Sequence, residues 1–421
     1  FLLIKCIAVD RNGVLYIGET GTGNNANGIT RYAPELPSVQ FGEIQVPSTD
    51  GREKYVFNSN GRHLRTLDAR SGVTLFQFGY DTATGELTSI TDADGLVTTI
   101  ERSGGTVSIH APAPFGQTTV LQLDASGKYL TSVTNPNSES YQMTCDAGGL
   151  LRTFTNPRSK VWHYDYGASD GRLISEQAPG APADKWLEFA QVESPTIRDV
   201  TKRSPEGRVT QYTIMRMLDG IRRHVLLRPD GVKAASVDSM LTTGAGGEIE
   251  FVTSSTGETV RTFKARDPRF GWIAPVDSIE TITLPAQNPA PSVVRTVLRT
   301  VNVAGSTLQE SVTLNGKRYL SIYDTLTSTL TTRTAALRQS TMQFDAAGRL
   351  LSASLGGIIS PVSFQYYPAS SAIKGRLSRV SQGSRAWDYT YDAKGRLFTV
   401  TDPTARTTTF AYDLADRVQT I

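Results

Sequence analysis

Seven residues, Tyr391-Asp392-Ala393-Lys394-Gly395-Arg396-Leu397, recur almost unchanged as Phe344-Asp345-Ala346-Ala347-Gly348-Arg349-Leu350. No other feature of the chain limits its fold as much. In Asp-x-x-Gly the aspartate suits the first position of a type I turn, where its carboxylate accepts nearby backbone N–H groups. The glycine suits the position that needs a positive φ. Together they predict a three-residue hairpin loop with a bulge at the glycine. The aromatic residue ends one strand and Arg-Leu opens the next, with Arg free to stay solvated or to lie over a neighbouring ring. Each copy therefore reads as one β-hairpin.

The phrase is periodic. Tyr323-Asp324, Phe344-Asp345, Tyr391-Asp392 and Tyr412-Asp413 carry it, with Tyr366 and a longer turn ending in Gly375-Arg376-Leu377 between them, so the aromatic positions step by 21, 22, 25 and 21 residues. The N-terminal half repeats the signal with more variation. Tyr80-Asp81 leads to Gly85, Leu123-Asp124 to Gly127, Cys145-Asp146 to Gly149, and Tyr164-Asp165 to a lengthened turn at Gly171-Arg172-Leu173. Phe57-Asn58-Ser59-Asn60-Gly61 substitutes Asn for Asp, which makes the same turn. A fixed period of roughly 20–50 residues is the signature of an array whose units cannot bury their own faces alone. Such arrays serve as scaffolds or containers more readily than as single-site catalysts.

Between the turns, short runs such as Leu130 to Thr134 and Ser378 to Val380 mix Thr, Val and Ser with other apolar residues. Leu326 to Thr332 alternates at period two, so the chain is expected to be all-β. Charged residues make up 20% and hydrophobic residues 38% of the 421, a globular rather than a disordered balance. A formal net charge of +3, with basic residues scattered singly, gives no electrostatic case for a nucleic-acid partner. Cys6 and Cys145 imply no disulfide framework. No apolar stretch approaches the roughly 18 residues of a membrane-spanning helix. Phe1-Leu2-Leu3-Ile4 reads as a strand rather than a signal peptide. A chain that starts at Phe1 and stops just after a turn is expected to be a segment of a longer protein. The lack of Asn-x-Ser/Thr acceptors leans toward a bacterial origin.

Residues 1–46 differ in texture from the rest. Ile7-Ala8-Val9-Asp10-Arg11-Asn12-Gly13-Val14-Leu15-Tyr16-Ile17 reads as strand, turn and strand. A Gly/Asn loop containing Gly21-Thr22-Gly23 and the strand Gly28 to Tyr32 follow. This resembles the last blade of an NHL-type β-propeller, with Pro34, Pro37 and Pro47 marking a linker. Residues 47–421 carry the repeats, which degenerate over about 186–320. Within that stretch, Asp267-Pro268-Arg269-Phe270-Gly271-Trp272 reads as a tight Pro-Gly connection with a buried aromatic plug.

The aromatic-Asp-x-x-Gly-Arg-Leu phrase at this spacing resembles the YD repeats of Rhs proteins, a group that includes bacterial polymorphic toxins, the shells of insecticidal Tc toxins and animal teneurins. The resemblance covers nearly all of residues 50–421. The propeller-like start and Asp267-Pro268-Arg269-Phe270-Gly271 point to the teneurin-like branch. What the resemblance implies is a long β-sheet wound as a spiral into a hollow barrel, a shell segment of a large secreted or cell-surface protein. In bacterial members such a shell holds a C-terminal cargo, often a toxin, as part of the same parent chain. In teneurins it is an adhesion scaffold, so the alternative is a module that binds a protein receptor or a glycan. Asp402-Pro403-Thr404 and Asp267-Pro268 both lack the downstream Gly-Leu of an Rhs core, so self-cleavage transfers to no residue here.

The residues themselves nominate no catalytic, cofactor or metal site. His63, His110, His163 and His224 are isolated from Cys or acidic ligands at zinc spacing. Asp92-Ala93-Asp94-Gly95 opens like a calcium loop, but Ser103 stands where a bidentate carboxylate is required, so a turn is expected. Gly21-Thr22-Gly23 and Gly104-Gly105 lack the Lys-Ser/Thr ending of a phosphate loop. A repeat-built enzyme, such as a polysaccharide lyase, would need acids and bases clustered in a cleft, and here they are dispersed.

Overall fold

A computed structural model of the chain describes residues 3–9, 15–20, 27–32, 43–112, 115–180, 186–216, 222–239, 249–253, 257–284, 293–357 and 359–421, all as strands, turns and irregular connections. A small antiparallel sheet pairs Leu3–Val9 with Leu15–Thr20, which in turn pairs with Asn27–Tyr32. A second sheet runs from Glu43–Pro47 to Thr407–Thr409 and closes into a barrel, while Ala411–Tyr412 and Val418–Thr420 form a last hairpin. Strand Glu43–Pro47 belongs to the large sheet, so the shell starts upstream of residue 47 and Pro47 ends a strand instead of marking a linker. The Asp10–Gly13 turn, Gly21-Thr22-Gly23, Pro34 and Pro37 lie outside the described residues.

Within the large sheet each strand pairs antiparallel with the next in sequence, because the connecting turns are too short for anything else. One repeat holds two turns, one at each edge. Between Tyr391 and Tyr412, the Asp392–Arg396 turn lies at the edge that carries the repeat phrase, and the Asp402–Arg406 turn lies at the opposite edge. Over the degenerate stretch the turns thin out and the strands lengthen, to 14 residues in Gly271–Leu284 and 12 in Val293–Ala304.

Residues paired across a ladder point to the same side, so the alternation can be followed from strand to strand. One face carries Phe78 beside Ile90, Ile100 beside Ile109, Met143 beside Phe154, Phe154 beside Trp162, and Leu330 beside Tyr323 and Met342. The other carries Gln77 beside Thr91, Gln122 beside Ser132, Thr144 beside Thr153, Thr331 beside Thr341, and Thr390 beside Thr399. The shell thus has one apolar face and one hydroxyl- and amide-rich face.

Little covers the apolar face. Tyr212, Leu355 and Phe398 remain 42%, 49% and 45% exposed. The accessible surface of 26205 Å² far exceeds the about 16,000 Å² expected of a compact protein of this mass. The sheet is essentially one layer thick, and its few buried residues gather where the spiral meets itself.

The second revolution rests on the first through side chains at the turns. Turns at the phrase edge of the later strands meet turns at the opposite edge of the earlier ones. Arg349 binds Asp94, Lys374 donates to the Gly95 carbonyl, and Arg417 binds Glu139, across separations of 255, 279 and 278 residues. Buried Phe270 packs with Ala69 and Ala274 at the start of this seam.

Candidate functional site

The repeat phrase builds two things, a turn and a lock. In the turn at Asp392, the carboxylate Oδ1 accepts the Lys394 and Arg396 backbone N–H groups, each at 2.9 Å. Gly395, at φ +68°, donates to the Asp392 carbonyl at 2.9 Å. The ladder slips between Thr390 and Tyr391, which is the bulge. Asp345 accepts Ala347 and Arg349 N–H at 2.9 and 2.8 Å and receives the Gly348 N–H at its carbonyl. Asp81, Asp124 and Asp413 cap their turns the same way, and Asn58 does so through its side-chain oxygen. Asp324 caps the Leu326 N–H, and Gly85 and Gly127 close their turns onto Asp81 and Asp124. In the last turn the φ > 0 place is taken by Asp416 at +65°, so the geometry survives loss of the glycine.

The lock joins one repeat to the next. Arg396 grips its own Asp392 through Nε at 2.8 Å and lies 4.8 Å from the ring centre of Tyr412, one repeat on. Tyr412 donates its hydroxyl back to the Leu397 carbonyl at 2.8 Å. The same exchange links Arg349, Leu350 and Tyr366, with 4.8 Å and 2.8 Å. It links Arg376, Leu377 and Tyr391 with 5.9 Å and 2.9 Å, and Arg62, His63 and Tyr80 with 4.8 Å and 2.7 Å. Aromatic and arginine are therefore partners between repeats. The sequence signal for this is an aromatic residue some 14 to 17 positions after the Arg-Leu pair.

One repeat is phased differently from the reading of the sequence. At Tyr164-Asp165 the strand continues to Tyr166, which pairs with Leu173 across the bulge, and Gly167 takes the turn-opening place, receiving the Gly171 N–H. Asp165 stays on the strand, 3.5 Å from Arg152, and Arg152 lies over Tyr166 instead of Tyr164. The aromatic at the bulge must precede the turn directly, and here two tyrosines compete for that description.

Electrostatics follow the turn geometry. The Tyr129 backbone N–H and the Ser126 hydroxyl hold Asp124 down to about 2, and the Thr404 hydroxyl with the Arg406 N–H does the same for Asp402, also about 2. Burial pushes Asp392 up, but the Arg396 hydrogen bonds outweigh it and leave the carboxyl below its usual value. At the seam, burial lifts Asp94 above the usual value against the pull of Arg349, whereas the Arg417 hydrogen bonds lower Glu139.

Apart from the Asp267–Trp272 phrase, seam residues carry no signal of their own in the sequence. Phe115 is buried and lies beneath Arg376, against Gly395. Arg70 covers Tyr323 and Phe344, and Gln117 donates to Asp416 at 2.6 Å. In Asp267-Pro268-Arg269-Phe270-Gly271, Asp267 is 3% exposed and accepts the Arg269 N–H, Nε and Nη2 at 2.7, 3.0 and 2.8 Å, while Phe270 fills the seam. This dense cluster is a structural plug. Among the described residues no group of His, Cys, Asp and Glu is placed to hold a metal ion. None of their helices is long and apolar enough to cross a membrane.

Comparison with known proteins places this architecture. The family model described as teneurin YD-shell matches residues 41–421. The chain belongs to the teneurin YD-shell family. Teneurin-4 of Mus musculus is 28% identical over 235 residues, 53% of this chain and 8% of that protein. Teneurin-3 of Mus musculus is 29% identical over 174 residues, 41% of this chain and 6% of that protein. Teneurin-m of Drosophila melanogaster is 28% identical over 186 residues, 42% and 6% respectively. The chain thus spans under a tenth of the length of these relatives. Among solved structures, TcdB2-TccC3 without its hypervariable C-terminal region superposes at a TM-score of 0.48 with 11% identity, covering 98% of this chain and 26% of that one. The Photorhabdus luminescens Tc holotoxin pore gives 0.47 with 12% identity, covering 97% and 27%.

Proposed function

We propose that this YD shell is a container wall, a segment of a secreted or cell-surface protein that encloses and protects a C-terminal polypeptide of the same parent chain. One observation carries the proposal: a barrel one layer thick whose apolar face runs through Phe78, Phe154, Trp162 and Leu330, all only half-buried, and leaves Tyr212, Leu355 and Phe398 exposed. An uncovered apolar surface of this extent needs an occupant, and turning it toward the enclosed space gives it one. Residues 1–33 are assigned to the last blade of an NHL-type propeller beside the wall. Their three-stranded antiparallel sheet is consistent with this.

Site-specific photocrosslinking tests the reading. A photoreactive residue at Phe154, on the apolar face, is expected to link to the C-terminal region of the same parent chain, while one at neighbouring Thr153 is not. Crosslinks from Thr153 to a separate protein or glycan, with none from Phe154, would replace the container with the adhesion reading.

A further inference from the structure

A cavity of about 710 Å³ opens where the strands around Asp267 meet the first turns of the shell. Part of its lining, Arg299, Val301, Leu308 and Glu310, follows the register of Tyr323 and so belongs to the apolar face. It is a polar island on that face, lined by Arg52, Arg70, Arg269 and Arg299 together with carboxylates of Asp50, Asp68, Asp267, Asp277 and Glu310.

These arginines are not equivalent. Arg269 is committed to Asp267 at 3.0 and 2.8 Å, and Arg299 lies 2.6 Å from Glu310. Arg52 is only loosely held, 3.6 Å from Asp50 with its side chain 85% exposed. Arg70 is stacked 4.8 Å from the Tyr323 ring centre and 5.6 Å from that of Phe344. Its guanidinium has no ion pair or hydrogen bond with any described residue, and its Nε is buried without a partner.

The carboxylates around the cavity are mostly occupied. Asp50 accepts the Ser48 hydroxyl and the Arg52 N–H, Asp68 accepts Arg70 N–H and both Ser71 donors, and Asp267 is saturated by Arg269. Asp277, which also lines the cavity, has no such partner among the described residues.

We propose that this cavity binds a single oxyanion-bearing group, a carboxylate or a sulfate, with Arg70 as the principal donor and Arg52 as the second. The two rings hold the Arg70 guanidinium in place, so its planar donor fork is oriented before a ligand arrives, and a fork of this kind matches a two-oxygen acceptor. The unpaired Asp277 repels further negative charge and restricts the site to one anionic group, excluding polyanions. The chemistry has two sources, an acidic side chain of a polypeptide or a free inorganic oxyanion, and the site stands whether or not the shell encloses a cargo.

The test titrates the full chain, at fixed ionic strength, with a blocked single-glutamate peptide and separately with sodium sulfate, followed by calorimetry. At least one probe is expected to saturate a single site. Arg70→Met should weaken it by about 10-fold or more, with Arg70→Lys losing less, and Asp277→Asn should tighten it by about 3-fold. Peptide binding without sulfate competition identifies a carboxylate side chain, and equal competition identifies a general oxyanion site. Failure of both probes to saturate the wild-type chain overturns the proposal. So does an Asp277→Asn variant of unchanged affinity, which is readable even if Arg70→Met fails to fold.

Discussion

Replacing Gly395 by Ala separates the two roles of the repeat phrase, the turn and the seam. At φ +68° an added Cβ meets left-handed strain of about 1–2 kcal/mol, and in this turn it also lands on the ring of Phe115, a buried seam residue from the first revolution. Displacing that ring adds an overpacking cost of about 1–3 kcal/mol, for a total of about 2–5 kcal/mol. Gly127 is the control. It sits in the same kind of turn at φ +69°, but nothing lies within 4 Å of its added Cβ, so Gly127→Ala should cost only the strain. Equilibrium denaturation of both variants, with near-ultraviolet circular dichroism to follow the aromatic rings, measures the difference. In a Phe115→Ala background the excess cost at Gly395 should vanish, because the obstacle is gone. Equal costs for the two glycines in the wild-type background would refute the seam as placed here, and so would an excess that persists without Phe115.

Tyr412→Phe removes the hydroxyl that donates to the Leu397 carbonyl at 2.8 Å and should cost about 1 kcal/mol by denaturation, while Tyr164→Phe, at a tyrosine outside the lock, should cost less. A double-mutant cycle between Arg349 and Tyr366, whose centres lie 4.8 Å apart, should return a coupling of about 0.5–1 kcal/mol, and zero coupling would remove the ring contact from the account. Phe270→Ala empties the plug packed against Ala69 and Ala274 and should cost about 3–5 kcal/mol, visible as early proteolytic cleavage in the Asp267 turn. Glu139 has a carboxyl lowered from 4.5 by Arg417, so its contribution is complete above pH 4.5 and disappears as pH falls through the lowered value. Cleavage of the C-terminal hairpins should therefore rise in that acidic window, and Glu139→Gln should flatten that part of the profile.

The local rules were legible because they act within a few residues. Asp392 caps the two N–H groups that follow it and Gly395 supplies the positive φ, so the phrase alone specifies an all-β chain of short hairpins. Alternation at period two likewise signals strands without marking their limits: of Leu326 to Thr332 only the part from Thr329 is strand, and residues 325–328 form the turn. Where two local solutions compete, as Tyr164 and Tyr166 do before the Gly171 turn, the sequence leaves the phase open, and the ladder decides it by pairing Tyr166 with Leu173.

Nothing in a run of neighbours specifies the seam. Asp94 reads as a turn residue, and nothing in the sequence singles out Phe115 or Arg70. Their partners Arg349, Gly395 and Tyr323 arrive only after the sheet has closed one revolution. That return depends on twist and tilt accumulated over the whole ladder, a sum of small angles with no local residue code. The sequence by itself determined the hairpins, their period and an aromatic plug in the Asp267–Trp272 turn; tertiary structure decided the two faces of the sheet, which turns meet, what Phe270 packs against, and that Arg70 is left without an ionic partner among the described residues.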